Sequence, residues 1–341
     1  MKAVRIHAAG DLRVEDVPYP TLRPGEVIVR MEWGGICGSD LSYWKHGSTG
    51  TATLTEPMVL GHEVAGRIAE VAGDVAGLEV GQPVTVHPAT IVPGQQLPER
   101  LAGRDNLYPE VRYFGSAAFS PHEQGGFAEY RAVAAGQIRA LPDGVNTRQG
   151  AVAEPLGVAV HAINRAGGVA RRRVLVNGSG PIGALVAAAA RRMDAASVIV
   201  ADLAEASLDV ARTLGVDRTV NVAAGEALPE DVDVTFEASG APASLGAVFN
   251  ATGRGGVVVQ VGNVPSGAVS AELAAIVTRE IEYRGTYRFV DEISDALDLL
   301  AGGLDVEPLL THSFPIDDAA EAFAVAGDRS TGSSKVMLQL S

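Results

Sequence analysis

The chain has 341 residues, 47% of them hydrophobic and 20% charged, with a formal net charge of -14. That is enough apolar material for two ordinary cores, while the negative mean field repels a phosphate backbone and excludes nucleic acid as the expected partner. A single cysteine, Cys37, excludes an intramolecular disulfide framework and any zinc cage built from several cysteines.

In chain order, Met1 runs directly into a charged, strand-like segment carrying Lys2, Arg5, Asp11 and Arg13, and no apolar stretch of membrane-spanning length follows. The expectation is a soluble, cytoplasmic protein with no membrane contact. Over residues 1–150, short alternating segments such as Glu26-Val27-Ile28-Val29-Arg30 and Pro83-Val84-Thr85-Val86 lie between Gly and Pro turns, which predicts a β-rich domain. This region holds Gly35-Ile36-Cys37-Gly38-Ser39-Asp40 and Gly61-His62-Glu63-Val64-Ala65-Gly66. Thiolate, imidazole and carboxylate are ligand types that zinc selects, and a catalytic site needs three of them plus an open position. Taken singly, a lone Cys is ordinarily buried filler and a His-Glu pair an ordinary satisfied pair, so neither motif carries the assignment alone.

Near Ala151 the texture changes to buried strands alternating with Ala-rich helical stretches, the pattern of a parallel sheet covered by helices. Strands are predicted at Arg173 to Val176, Ser197 to Ala201, Val232 to Ala238, Val257 to Val261 and Ile281 to Gly285, with the first helix at Ala184 to Met193. The expected division is 1–150, completed by 290–341 through a last strand at Lys335 to Leu340, and 151–289. Gly178-Ser179-Gly180-Pro181-Ile182-Gly183 follows a strand and opens a helix, and Asp202 ends the next strand. In that context Gly178 permits the turn, Gly180 lets backbone approach a pyrophosphate and Gly183 allows close helix-to-strand packing, while the helix N-terminus offers unpaired N–H groups. Asp202, placed to accept from both ribose hydroxyls and to repel a 2′-phosphate, favours NAD over NADP. Ser239 and Val261-Gly262-Asn263, at the ends of later strands, are placed along the same crevice.

Gly61-His62-Glu63 with Gly66 after it, Cys37-Gly38-Ser39-Asp40 before it and a Rossmann unit following resembles the zinc-containing medium-chain alcohol dehydrogenases over nearly the whole chain. The resemblance implies a mixed α/β fold: a GroES-like catalytic domain plus a doubly wound, NAD-binding parallel sheet. It makes Cys37 and His62 zinc ligands, with Glu63 and Glu154, the latter in Ala153-Glu154-Pro155-Leu156, alternating or sharing the remaining protein contact. Ser39 then starts the proton relay from the alcohol. Ser42 departs from the many relatives that end this relay on His, and His46 or water is the alternative route. The four cysteines that hold a structural zinc in many relatives are absent: between His87 and Tyr113 there is no Cys or His, and Tyr108 stands where the fourth is expected. One zinc per subunit is therefore expected, with that lobe held by packing.

Pro57-Met58-Val59-Leu60-Gly61-His62-Glu63, Arg112-Tyr113-Phe114-Gly115-Ser116-Ala117 with Pro121-His122 and Gly125-Gly126-Phe127, and Arg284-Gly285-Thr286-Tyr287-Arg288-Phe289 are most similar to L-idonate 5-dehydrogenases and sorbitol-type polyol dehydrogenases. This implies oxidation of a secondary hydroxyl on a sugar acid or polyol, with Tyr43, Phe114 and Arg288 at the substrate. An ion pair with Glu154 is the alternative role for Arg288, and Lys45 and His46 are further candidates for a carboxylate. A homodimer or homotetramer is expected on the same analogy. The competing readings are a zinc-free quinone or enoyl reductase on the same fold, opposed by Cys37, His62 and Glu63 together, and a noncatalytic nucleotide-binding protein.

Overall fold

The computed structural model describes residues 1–341, which fold into two compact units: Met1–Glu154 with Leu310–Ser341, and Pro155–Leu309. The return to the first unit comes at Leu310, about twenty residues beyond the change of texture near Phe289. The Glu292–Ala301 helix belongs to the second unit because its apolar stripe (Ile293, Ala296, Leu297, Leu300) is buried and Glu292 bonds His161 there. No helix is long and apolar enough to cross a membrane.

The first unit is built on a seven-stranded sheet. Its path runs Ile138–Ala140, Pro83–Val86, Glu63–Val71, Glu26–Gly35, Val336–Gln339, His312–Pro315, with Tyr130–Ala134 also on Glu26–Gly35. The expected last strand therefore does close this unit, antiparallel to the end of Glu26–Gly35. Alternation along these strands sends Val27, Val29, Met31, Val64, Ile68, Val84, Val86 and Leu338 into one core with Phe127 and Phe323. Glu26–Gly35 and Glu63–Val71 pair antiparallel with Gly35 opposite Glu63. The residues after the first strand and before the second thus meet at one end of the sheet, which brings Cys37 and His62 together.

The second unit holds a six-stranded, wholly parallel sheet in the order Arg218–Asn221, Ser197–Asp202, Arg173–Asn177, Val232–Glu237, Thr252–Gln260, Glu282–Gly285. This is the doubly wound order, and it reverses between Arg173–Asn177 and Val232–Glu237, where the carboxyl ends open a ligand crevice. Arg218–Asn221 is the strand the pattern did not predict: Arg218-Thr219-Val220-Asn221 is short, polar and at the sheet edge, with only Val220 buried. The helix opened by the Gly-rich turn spans Pro181–Arg192, starting earlier than predicted because Pro181 occupies the first helical turn, where a missing N–H costs nothing, and an unpredicted helix, Ala153–Arg165, precedes the first strand.

Candidate active site

Cys37 is the N-cap residue of the Gly38–His46 helix, so its sulfur stands at the positive end of the helix dipole. His62 immediately precedes and Glu63 opens the Glu63–Val71 strand, and one ligand atom each from Cys37, His62 and Glu63 lie within 4.8 Å of one another. Asp40, fully buried, ties the two segments together: its carboxylate accepts from Cys37 N at 2.9 Å and Gly61 N at 3.1 Å. Gly35 is needed for the same convergence, since a Cβ there would lie 2.3 Å from Glu63 Oε2.

The charges around this cluster favour a cation. Burial opposes a positive charge on the His62 ring, yet Cys37, Asp40 and Glu154 outweigh it and push the ring up to about 10. The same surroundings that favour a cationic ring would favour a divalent cation, and the cysteine, imidazole and carboxylate donor set fits zinc. Glu63 is also bound by Lys335 Nζ, at 2.6 and 2.8 Å to its two oxygens, with both side chains almost wholly buried. Lys335 donates further to Ile36 O at 3.2 Å.

Glu154 is outside the converging trio. Burial raises its carboxyl, and Tyr113 Oη donates to Glu154 Oε1 at 2.5 Å. Tyr113 also sets its ring edge-on to His62, centroids 5.6 Å apart. Ser39 sits half-buried in the first turn after Cys37. Ser42 spends its hydroxyl on Ser48 O at 2.6 Å, and His46 is exposed at the end of the same helix. Lys45 donates to Gly327 O at 2.8 Å. Tyr43 lies in the core with 1% exposure, its hydroxyl accepting from Ala117 N at 2.9 Å, and Phe114 is buried under the Arg131 guanidinium, 3.8 Å from its ring centre. Arg288 has a φ of 51° and lies 4.9 Å from the Tyr287 ring.

In the second unit the Gly-rich turn carries its expected geometry. A Cβ on Gly183 would fall 1.8 Å from Gly178 O, so helix and strand pack through it, whereas a Cβ on Gly180 would meet no protein atom within 4 Å. The space over Gly180 suits a pyrophosphate at a helix N-terminus, which is the fit a dinucleotide requires. Pro181 and Ile182 form the first turn of that helix. Asp202 ends its strand, accepting from Ser179 N at 2.6 Å and Ala204 N at 2.8 Å. Ser239, Val261, Gly262 and Asn263 follow the ends of the two strands beyond the switch point.

Residues 23–143 match the alcohol dehydrogenase GroES-like domain family and residues 181–302 the zinc-binding dehydrogenase family. Sorbitol dehydrogenase of Gallus gallus is 37% identical over 334 residues, covering 94% of this chain and 92% of that protein. The chain belongs to the zinc-containing medium-chain alcohol dehydrogenase superfamily. L-idonate 5-dehydrogenase (NAD(P)(+)) of Escherichia coli K12 is likewise 37% identical, over 319 residues, covering 91% of each chain. The crystal structure of an Escherichia coli L-idonate 5-dehydrogenase superposes with a TM-score of 0.89 at 33% identity, over 99% of this chain and 97% of that one. 2R,3R-butanediol dehydrogenase from Bacillus subtilis superposes at 0.86 with 29% identity, over 99% of each chain. This medium-chain dehydrogenase is thus an NAD(P)-dependent oxidoreductase with a GroES-like and a Rossmann-like part.

Asp40, Lys335 and Tyr113 contact the candidate site and are not assigned by the motifs. Asp40 and Tyr113 stood inside motifs already quoted, and a charged residue opening the apolar run Lys335-Val336-Met337-Leu338 is itself a signal of a buried partner.

Proposed function

We propose that this dehydrogenase oxidises a secondary hydroxyl of a polyol or sugar acid, most specifically L-idonate to 5-keto-D-gluconate, using NAD and one zinc ion per subunit. The observation that carries the chemistry is the convergence of half-buried Cys37 with buried His62 and Glu63 within 4.8 Å. When bound, zinc supplies Lewis acidity, which can bring the pKa of a coordinated water from about 16 to about 7, and the nicotinamide supplies a hydride acceptor. Cys37, His62 and Glu63 would hold the metal, with Lys335 keeping the Glu63 carboxylate in place, and Glu154, fixed by Tyr113, completes the acidic surroundings. Asp40 keeps the two ligand-bearing segments in register. Ser39 receives the proton that the substrate hydroxyl gives up, and passes it towards solvent. Because Ser42 already donates to Ser48 O, the continuation runs through water or His46.

Arg288 is the counter-charge for a sugar-acid carboxylate in this reading. Tyr43 acts by holding the residues around Ala117 rather than by reaching substrate, and Phe114 by packing under Arg131. NAD is preferred over NADP because a carboxylate fixed at Asp202 repels a 2′-phosphate. The lobe at residues 88–112 supports one zinc: its strands Ala89–Ile91 and Val111–Tyr113 pair, and Gln95 bridges them by donating to Val92 O and Glu110 O and accepting from Glu110 N. Hydrogen bonds close it, since Asn106 is the one buried residue between 91 and 110. A cytoplasmic homo-oligomer joined through sheet edges completes the proposal; the Glu282–Gly285 edge strand exposes Tyr283.

The relatives divide between sorbitol and L-idonate dehydrogenases, so sorbitol is the second substrate to try. The test follows NADH formation by the zinc-replete protein on L-idonate, sorbitol, xylitol and a simple secondary alcohol. L-idonate is expected to exceed sorbitol in kcat/KM by roughly tenfold, the worth of one well-placed charged contact. A neutral polyol winning leaves the zinc and NAD chemistry and removes the carboxylate site; no turnover on any of them overturns the polyol and sugar-acid assignment.

A further inference from the structure

The strand Val232–Glu237 ends on a carboxylate with 0% exposure, beside the point where the sheet order reverses. Glu237 Oε1 accepts from Asn177 Nδ2 at 3.1 Å, Ser239 N at 3.1 Å, Ser244 Oγ at 3.2 Å and, more closely, Ser239 Oγ. Its Oε2 accepts from Gly240 N at 3.1 Å and Gln260 Nε2 at 2.7 Å. No lysine, arginine or histidine is among these partners. The backbone carbonyl of the same residue accepts from Val261 N and Gly262 N, both at 2.8 Å.

Asn177 and Gln260 are the last residues of the strands on either side, so one side chain fastens the carboxyl ends of three neighbouring strands. Gln260 extends the net, donating to Gly262 O at 2.7 Å and accepting from Tyr283 Oη at 2.7 Å. The fastened turns touch: a Cβ on Gly262 would lie 2.3 Å from Gly240 N. A doubly wound sheet receives one mononucleotide on each side of its switch point. With Asp202 on the adenosine side, the turns at Ser239-Gly240 and Val261-Gly262-Asn263 fall on the nicotinamide side.

We propose that Glu237 is a positioning residue for the nicotinamide half of the dinucleotide, holding the two turns of that half in one geometry before the cofactor arrives. The proposal rests on the dinucleotide reading of the crevice and on Asp202 marking its adenosine side. A buried ion without a counter-ion is costly unless donors surround it, and a charged acceptor binds each donor more strongly than a neutral one. Glutamine in its place presents N–H groups towards donors on one side or the other, so part of the net breaks while volume and packing stay. Pre-ordered turns then become mobile, and binding of the nicotinamide half must supply the ordering.

The experiment measures NADH binding by fluorescence and ADP-ribose binding by calorimetry, for wild type, Glu237→Gln and Gln260→Met, alongside each thermal midpoint. ADP-ribose keeps the adenosine half and the pyrophosphate and lacks the nicotinamide. Glu237→Gln is expected to weaken NADH by roughly tenfold while ADP-ribose changes less than about twofold, and Gln260→Met, which removes one donor and leaves the carboxylate, to weaken NADH by roughly threefold. Equal loss of both ligands, or a lowered midpoint with unchanged NADH affinity, makes Glu237 a support of the sheet and overturns the proposal. If Glu237→Gln does not fold, Gln260→Met decides by the same ratio. Wild-type protein that binds neither ligand refutes the dinucleotide reading itself, a result separate from either of these.

Discussion

Each unit of this dehydrogenase buries a glutamate beside its working end, and the two are neutralised in opposite ways. Glu63, 1% exposed, is held by a single cation, Lys335, through both oxygens. Glu237 is held by six hydrogen bonds from neutral donors on three strand ends. An ion pair is largely nondirectional, so one cation can take over from another, and Glu63 can share itself with a metal without leaving its place. Six directional bonds cannot be exchanged piecemeal, which suits a carboxylate whose task is to keep backbone still. In the proposed reading, the candidate metal end is suited to trading partners and the dinucleotide end to rigidity.

The largest effect expected from breaking this contrast is at Lys335. Lys335→Met keeps most of the side chain's apolar stem and strands Glu63, costing the metal-free protein about 3–5 kcal/mol, the range for a buried pair robbed of one partner. Zinc-saturated protein should lose far less, because the metal neutralises the same carboxylate. Melting the variant with excess zinc and again with chelator reads the difference; an equal loss in both conditions shows that Lys335 and zinc do not share Glu63.

A pair in the second unit tests an intermediate arrangement, a carboxylate held by a titratable ring. Burial pushes the Glu292 carboxyl up, but the bond from the His161 ring at 2.7 Å and the Val290 N–H outweigh it and hold the group down at about 2. The folded value lies below the unfolded one near 4.5, so the stabilisation is complete above that pH and is lost as pH falls from there towards 2. His161→Gln should lower the melting midpoint at pH 6 by a few degrees and flatten its decline between pH 5 and pH 3. A decline as steep as the wild type's places the acid sensitivity elsewhere.

The smallest effect belongs to a neutral clamp. Gln95→Ala deletes three bonds across a mostly exposed lobe and should cost about 1 kcal/mol, with faster proteolysis of residues 92–110. Chelator should not accelerate cleavage there in wild type, and a chelator effect would point to a metal in the lobe.

Local pattern picked out the three residues that the structure brings within 4.8 Å of one another. Cys37, His62 and Glu63 sit in short motifs whose glycines report the close approach of backbone, and Gly178 to Gly183 with Asp202 reads as a strand, turn and helix in order because each feature is set by neighbours in sequence. The edge strand Arg218–Asn221 escaped because its apolar content is one residue, and the Glu292–Ala301 helix was assigned to the wrong side of a boundary because its period says that it packs and not against what.

By itself the sequence determined the two-part architecture, the metal-seeking residue types, the Gly-rich strand-turn-helix and the missing cysteines of the lobe, all of which follow from residue type and near-neighbour spacing. Only the tertiary structure decided that Lys335, 272 residues from Glu63, neutralises it, that Asp40 joins the two ligand segments, that Tyr43 is core and that Glu237 fastens three strand ends. The reason is physical: which buried charge meets which partner depends on strand order and register, and a parallel or crossed-over sheet brings together residues that no local period relates.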